Sequence, residues 1–578
     1  MKRVSSILLL LLICTSLFAQ QYYIKGEVRD EGGNPLQNVS ILLHSTGYVY
    51  YSGSTGGFGI VTSKIIDTLT FSADGFEKKK VVADAVQNQV VVLKKNAVRN
   101  THRYKLASLT KNLQREIHQQ WFTGDETYAS LLENGFINAA NNPTTGVTLN
   151  IDRASYSNVR RFLNMQWFVP PDAVRIEEML NYFNINYTEP KDSSTFDISS
   201  TLTSCPWNTA NQLLITNIKS KKINLDSLPP THLVFLIDVS GSMDMPNRLP
   251  LLKAGFRGLI NNLRAKDTVS IVVFGGITTV LVNALSGNDK DSLFKVVNGL
   301  EPSGSTPGEA GIKLAYTMAK VHFIEGGNNR VILATDGDFN VGLQKEEELE
   351  DLIISQKQQG IYLTCLGVGM GNYKDSKIQT LAQKGNGNFA YLDSYAEAEK
   401  VLLKEFLQTL YTVADDVYLT MSFNPTYVKE YRLIGFDNKV GAIKDTSAVI
   451  EGGEIGPAYS MLVACEIVPN NGVDLLKPVT PASYMLQYKM SKQQKVLEET
   501  KTLEVTFTPF PQVSKCYRFA SAVMLFGQML RESKYIKSNS WKELQQIATN
   551  AADTTDPSQA EFLSLVKQAK TMYSKRKK

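Results

Sequence analysis

The stretch "HLVFLIDVSGSMDMPNRLPLLKAGF", residues 232–256, decides the fold of the central part of the chain. Five apolar residues in a row run up to Asp238, as in a strand that is buried on both faces. Ser240 and Ser242 follow at alternate positions, and an amphipathic helical pattern begins at Leu249. A carboxylate and two hydroxyls are therefore expected on one side of the turn that leaves this strand.

Further strand-like runs follow along the chain: "DTVSIVVFG", "TTVLVNAL", "NRVILATDG", "GIYLTCLGVG" and "NFAYLD". Helical patterns lie between most of them. Buried strands that alternate with helices predict a doubly wound, mainly parallel sheet. Because ligands of such sheets bind in the crevice at the carboxyl ends of the strands, the functional residues are expected at that edge.

Three loops bring oxygen-bearing side chains to that predicted edge. The first carries Asp238, Ser240 and Ser242, the Gly-rich "PSGSTPGEAG" carries Thr306, and "TDGD" carries Asp336 at the end of another apolar strand. Carboxylates and hydroxyls without imidazole or thiolate suit Mg²⁺ best, with Mn²⁺ or Ca²⁺ as alternatives. Water or a partner's carboxylate must complete the coordination. The alternative is that these polar residues only cap helices.

This series, DxSxS, then Thr, then TDG, each in the predicted position, resembles the metal-ion-dependent adhesion site of the von Willebrand factor A domain. The resemblance implies that Ser240, Ser242 and Thr306 coordinate the cation directly. It also implies that Asp238 and Asp336 act directly or through water.

The flanking regions carry a second resemblance. "DRASYSNVRRFLN", "CPWN", "GNGNFAYLDS" and "YRLIGFDN" resemble segments of the YfbK-type bacterial A-domain proteins, over about residues 128–570. Because that family has no well-established biochemical activity, the resemblance implies fold more than function. The chain departs from the family pattern in "KDTSAVIEGGEIGPAYS", where Ala458 and Tyr459 replace the usual Gly and His. That departure puts a second cation site in this tract in doubt.

The first residues, "MKRVSSILLLLLICTSLFAQ", have the pattern of a cleaved secretory signal, with Lys2, Arg3, a short apolar run and Ala19. Cys14 raises a lipoprotein alternative, but Ile13 stands where lipid attachment requires a small residue. The mature protein is therefore expected to be exported to the periplasm or the cell surface. No later apolar run is long enough to predict a transmembrane segment.

Residues 22–95 alternate short apolar segments with Gly, Pro and Asn turns, which predicts a small antiparallel β-sandwich. "IKGEVRDEGGNPLQNVSILL" and "GGFGI" resemble the carboxypeptidase regulatory-like, transthyretin-type module that precedes many exported proteins of the Bacteroidetes. That resemblance implies a spacer or binding module without peptidase activity.

The predicted fold class is therefore multidomain, α/β plus all-β. Strand patterns on both sides of the A domain predict one β-sandwich into which this domain is inserted, followed by a C-terminal helical segment. The predicted divisions are a signal peptide (1–19), the front sandwich (22–95), a linker (96–127), a YfbK-type N-terminal region (128–230), the A domain (231–412), the rest of the sandwich (413–510) and the helical region (511–573).

Two other groups of residues give weaker predictions. Glu177 and Glu178 are neighbours on a predicted helix, so a solvated face is favoured over an acid/base pair. Cysteines at 205, 365, 465 and 516 form no CxxC pair, which argues against a zinc site and leaves a Cys205–Cys465 disulfide open. Cys365 lies in an apolar run and is expected in the core.

Composition and motifs restrict the function classes. A net charge of +5, with "SKRKK" at the end as the only basic block, argues against nucleic acid, and "GVGMGN" has no acidic residue placed to bind a ribose. The favoured function is non-enzymatic: an exported protein that captures a protein partner, through an acidic residue of that partner, with a divalent cation. The alternative is a metal-dependent hydrolase of the cell envelope. It would need a general base, and the motif loops supply only Glu309, so no catalytic residue is predicted.

Overall fold

The structure is a computed structural model that describes residues 22–37, 39–46, 48–53, 55–73, 76–94, 126, 128, 130–149, 152–191, 194–304, 308–337, 346–370, 373, 375–436, 453–472, 474, 476–490, 495–536 and 540–576. The predicted signal peptide and all but one residue of the predicted linker lie outside these ranges. The chain divides into two units, Met1–Arg103 and Tyr104–Lys578.

The described residues of the first unit form seven strands. They are β1 (Tyr22–Asp30), β2 (Ser40–Leu43), β3 (Val49–Tyr51), β4 (Gly57–Thr62), β5 (Ile66–Ser72), β6 (Lys79–Asp84) and β7 (Gln89–Leu93). They form two sheets, in the orders β4-β1-β7 and β3-β2-β5-β6, and every pair is antiparallel except β1 with β7. Alternate residues such as Ile24, Ile41 and Phe71 are buried in one shared core.

The second unit begins with β8 (Ile137–Asn138), β9 (Thr144–Thr148), α1 (Ala154–Asn164), α2 (Ile176–Asn181), β10 (Phe196–Ser204) and β11 (Gln212–Ser220). It continues with β12 (Thr231–Asp238), α3 (Leu249–Asn262), β13 (Thr268–Phe274), β14 (Thr279–Ser286), α4 (Lys290–Asn298), α5 (Gly308–Val321), β15 (Asn328–Thr335), α6 (Glu346–Gln358), β16 (Ile361–Gly367), α7 (Asp375–Lys384), β17 (Phe389–Tyr391), α8 (Tyr395–Glu399) and α9 (Phe406–Leu410). It ends with β18 (Ala414–Phe423), β19 (Val428–Ile434), β20 (Gly453–Ile455), β21 (Ser460–Pro469), β22 (Ala482–Met490), β23 (Val496–Thr502), β24 (Phe507–Thr508), α10 (Lys515–Leu530), α11 (Trp541–Ala551) and α12 (Pro557–Arg576).

The central α/β domain is built on a sheet with the order β14-β13-β12-β15-β16-β17. All its pairs are parallel except β13 with β14, so the six strand runs seen in the sequence form one mainly parallel sheet. Every residue of β12 and β15 is buried, because separate apolar clusters cover the two faces. The carboxyl ends of these two central strands therefore meet at the middle of one edge.

Strands that precede the α/β domain in the sequence and strands that follow it pair in the same two sheets. One has the order β24-β10-β11-β21-β19-β8; the other has the order β20-β18-β22-β23, with β9 also paired to β18. Buried residues of both sheets form one apolar cluster. The chain leaves these sheets after β11 and returns at β18, and the two connections are close, because the Thr231 hydroxyl donates to the Tyr411 hydroxyl over 3.0 Å.

Helices α1, α2 and α10 to α12 form a third layer with a common apolar core that includes Phe162, Met179, Phe526 and Phe562. Glu177 and Glu178 are buried in this layer, so the predicted solvated face is wrong. The cause is tertiary, because every residue of the short helix α2 is covered by neighbouring elements. The cysteines at 205, 365, 465 and 516 are free thiols, so the Cys205–Cys465 disulfide is absent, and Cys365 is buried.

His232 at the start of the central strand β12 is expected to make the stability of the domain depend on pH. The side chain is buried, with Nδ1 2.8 Å from Thr268 Oγ1. Burial, together with the nearby His322 ring, lowers the pKa of His232 to about 4. An unfolded histidine has a pKa of about 6.5, so protons bind preferentially to the unfolded chain. We therefore expect stability to be lost as the pH falls from about 6.5 to about 4.

At pH 5 this one group should reduce the free energy of unfolding by about 2 kcal/mol relative to pH 7. The measurement is urea unfolding of wild type and of His232→Gln at pH 5 and at pH 7. The loss of stability between pH 7 and pH 5 should be smaller in His232→Gln than in wild type, by about 2 kcal/mol. His44→Gln, which replaces an exposed histidine, is the control and should behave as wild type. Equal differences in all three proteins would contradict a buried neutral His232.

Candidate metal site

The two predicted acidic ligands meet at the carboxyl edge of the central sheet. Asp238 is the last residue of β12, and Asp336 directly follows β15, its parallel neighbour. Both side chains are fully buried. The apolar runs that precede them form the two central strands, which brings together carboxylates far apart in sequence.

The DxSxS loop folds back on the carboxylate of Asp238. One oxygen of Asp238 accepts a hydrogen bond from the backbone N–H of Ser240 at 2.9 Å, and the other accepts from the Thr335 hydroxyl at 2.8 Å. The hydroxyl oxygens of Ser240 and Ser242 lie 3.1 Å apart. The structure thus groups Asp238, Ser240 and Ser242 as the alternation predicted, and β15 fixes the carboxylate from the neighbouring strand.

Thr306 lies outside the described residues, so its role as a ligand stays a prediction. The preceding part of its loop is described and contacts the DxSxS loop. The Gly241 N–H donates to the Gly304 carbonyl at 3.0 Å, and the Ser303 N–H donates to the Val239 carbonyl at 2.6 Å. Gly304 has φ +68°, and a Cβ there would lie 2.2 Å from the Cα of Gly276, so only glycine permits this close approach.

Arg248 also contacts the site, although no motif in the sequence pointed to it. Its guanidinium donates to the Asp336 carboxylate at 2.6 Å and to the Ser242 carbonyl at 2.6 Å. It lies 88 residues from Asp336 in the chain, and no short motif connects the two residues. The available signal was an arginine immediately before a helix, where a positive charge is unfavourable.

The electrostatics of the site fit a cation. Burial raises the pKa of Asp238 to about 6, and the charge of Asp336 acts in the same direction, while the hydrogen bonds to Ser240 and Thr335 oppose the shift. A buried carboxylate needs a positive charge nearby; Arg248 supplies one to Asp336, and a bound cation would supply one to Asp238 as well. Asp238, Ser240, Ser242 and Asp336 offer carboxylate and hydroxyl oxygens, which suit a hard divalent cation such as Mg²⁺.

Other chemistry at this edge has less support. Within the described ranges, no group of three or more His, Cys, Asp or Glu side chains could hold a metal, so the serine hydroxyls would have to complete the donor set. Glu309, the one general base that the motif loops offered, is ion-paired with Lys313 at 2.6 Å. His232 lies near the amino end of β12, at the opposite edge of the sheet from Asp238.

Three regions of the chain match protein-family models. The von Willebrand factor type A domain matches residues 232–406, and the family described as "Uncharacterized protein YfbK, C-terminal" matches residues 408–572. A further family described as "von Willebrand factor" matches residues 122–215. Domains of the A type commonly bind a divalent cation and mediate protein interactions. Among the helices of the described part, none is long and apolar enough to cross a membrane.

This chain is also similar to individual relatives and to solved structures. The protein described as "Uncharacterized protein YfbK" from Escherichia coli (strain K12) is 35% identical over 475 residues, which cover 77% of this chain and 81% of that protein. Human inter-alpha-trypsin inhibitor heavy chain H2 is 24% identical over 245 residues, 41% of this chain and 25% of that protein. The solved structure "von Willebrand factor type A from Catenulispora acidiphila" is 13% identical with a TM-score of 0.39 and covers 63% of this chain and 88% of that one. Because 35% of the aligned residues are identical to YfbK and the alignment covers most of both chains, this chain belongs to the YfbK family of von Willebrand factor A domain proteins.

Proposed function

We propose that this protein is an exported, non-enzymatic binding protein whose A domain holds a divalent cation, most favourably Mg²⁺, and captures an acidic residue of a protein partner. The observation that carries the proposal is the group formed by Asp238, Ser240, Ser242 and Asp336 at the carboxyl edge of the sheet. Thr306 would supply a further ligand from the adjacent loop. These neutral and anionic oxygens leave coordination positions that a partner's carboxylate can take.

The hydrolase alternative finds less support in the described residues. A metal-activated water needs a base within hydrogen-bonding reach, and the carboxylate of Glu309 is occupied by Lys313. A hard cation in a site of hydroxyls and carboxylates also lowers the pKa of water less than zinc does. Cation-dependent capture requires no such base, because the cation itself binds the ligand.

Export is part of the same proposal, and it rests on the secretory pattern of residues 1–19. The front unit, with seven strands in two sheets, is assigned as a carboxypeptidase regulatory-like module that acts as a spacer or a second binding surface. The partner is then a protein of the periplasm or the cell surface, and the cation would be drawn from that compartment.

The test of partner capture is a pull-down from envelope extract with Mg²⁺ or with EDTA, followed by affinity measurements on the identified partner. Binding should require the metal. Thr306→Ala removes one neutral oxygen and should weaken metal binding less than Asp238→Ala does, yet reduce partner affinity by roughly 5- to 150-fold, the usual range of such coupling. Ser286→Ala is the control, because Ser286 pairs with Thr268 at the amino end of β13, the opposite end of the sheet from the motif loops.

Equal retention of the partner by wild type, Asp238→Ala and Thr306→Ala would show that the metal face is not the binding surface. The front unit would then be the better candidate. Turnover of a substrate by the purified protein, lost in Thr306→Ala, would instead support the hydrolase.

Export predicts that the protein is recovered outside the cytoplasm with its mature N-terminus near Gln20. N-terminal sequencing is the measurement, and a retained Met1 would contradict the prediction.

A further inference from the structure

Arg248 places a fixed positive charge inside the candidate metal site. One terminal nitrogen of its guanidinium donates to both the Asp336 carboxylate and the Ser242 carbonyl, each at 2.6 Å. The other donates to the Met370 carbonyl at 3.0 Å. Arg248 is 5% exposed and Asp336 is fully buried. The ion pair therefore joins the DxSxS loop, the TDG loop and the loop after β16.

Several features hold the guanidinium in this place. Gly369 has φ +82°, and a Cβ there would lie 2.5 Å from Arg248 Nε, so the loop after β16 leaves room for the arginine only because residue 369 is glycine. The Tyr391 hydroxyl donates to the Gly369 carbonyl and fixes that loop. Arg248 also precedes helix α3, where the helix dipole disfavours a cation. Its contacts with the site, and not helix stability, account for its position.

The charges of the site suggest what Arg248 does. Asp238, Asp336 and Arg248 are the buried charged side chains described there, and together they carry one net negative charge. A bound divalent cation turns this into one net positive charge, which a partner's carboxylate then neutralises. Without the arginine, the loaded site would already be neutral, and the carboxylate would leave it negative.

We propose that Arg248 weakens the affinity of the site for the divalent cation and strengthens the affinity of the loaded site for a carboxylate. This inference rests on the proposed function, because it assumes that the cation binds at this edge. The two effects have the same electrostatic origin, since the arginine repels the cation and leaves the loaded site positive. Arg248 is thus a positioning residue that sets ligand preference through charge.

The experiment compares wild type, Arg248→Met and Arg248→Lys with Mn²⁺ alone, by calorimetry, and then with glutarate added to the Mn²⁺-loaded proteins, by water-proton relaxation. Arg248→Met removes the charge, so it should bind Mn²⁺ about tenfold more tightly and glutarate about tenfold more weakly. Arg248→Lys keeps the charge and should stay within a few-fold of wild type in both measurements. Arg248→Gln repeats the test if the methionine variant does not fold.

Thermal unfolding supplies an independent readout. In EDTA, Arg248→Met should unfold at a lower temperature than wild type, because Asp336 has lost its buried counter-charge, and Mn²⁺ should restore more stability to it than to wild type. Mn²⁺ affinity in Arg248→Met that is no tighter than in wild type would overturn the inference, as would equal tightening in Arg248→Lys. A wild-type protein that binds no Mn²⁺ would overturn the proposed function, and this inference with it.

Discussion

Asp238→Ala is expected to abolish binding of Mg²⁺ and Mn²⁺, with a loss of affinity of about 100-fold or more, because it removes one of the two negative charges that face the cation. Asp238 is fully buried, so little solvent screens its interaction with a bound ion. Calorimetry with each metal is the measurement. Unchanged metal affinity in this variant would contradict the assignment of the site.

Two further variants separate charge from shape. Asp238→Asn keeps a side chain that can accept from Ser240 or Thr335 but has no charge, so it should lose metal affinity to a similar extent. The metal-free protein should tolerate this change, because it replaces a carboxylate whose pKa burial raises to about 6. Asp244→Ala removes an exposed carboxylate from the same loop and should leave metal affinity within about twofold of wild type.

Arg160→Met is expected to lower the free energy of unfolding by about 3–5 kcal/mol, the usual result of removing one partner from a buried ion cluster. The guanidinium of Arg160, on α1, binds both carboxylate oxygens of Asp393 and donates to Glu397 at 2.8 Å and to Glu561 at 2.9 Å. Asp393 and Glu397 are almost fully buried. The variant would leave Asp393 without its main counter-charge and Glu397 with Lys400 as its remaining counter-charge.

This cluster joins helix α1 to the α/β domain and to helix α12, so its loss should loosen the contact among the three. Urea unfolding gives the change in stability, and hydrogen exchange at residues 395–399 locates it. Arg257→Met is the matched control, because Arg257 is an exposed arginine of α3 near the ring of Phe294, and its replacement should change stability by less than about 0.5 kcal/mol. A loss below about 1 kcal/mol in Arg160→Met would show that the cluster does not stabilise the contact.

The sequence predicted the α/β domain and the two described acidic residues of its site because both follow from local pattern. An apolar run between turns predicts a buried strand, and a polar residue at the end of such a strand lies at the edge of the sheet. Asp238, Ser240, Ser242 and Asp336 satisfy that rule, and the structure brings them together. The additional β-rich regions were predicted from alternation, whereas the domain boundaries remain predictions.

Buried charges were not predictable in the same way. Glu178 has the same helical pattern as a solvated residue, but the Ser155 N–H on α1 donates to it, and Arg175, three residues before it, binds both Glu178 and the distant Asp375. Arg248 likewise belongs to the site only through Asp336, which is distant in sequence. Contacts of this kind leave no periodic pattern in the sequence. Their partners lie on different elements, and only the tertiary structure brings those elements together.

The shared sheets have a consequence for the order of folding. Pairing of β11 with β21 requires the chain to close a loop that contains the whole α/β domain, from Thr231 to Leu410, roughly 180 residues. For an unfolded loop of that length, closure opposes pairing by about 4–5 kcal/mol. Once the α/β domain has formed, the contact between Thr231 and Tyr411 already holds its two ends together. We therefore expect the α/β domain to form before β11 pairs with β21, so that the flanking strands assemble on a domain that has already folded.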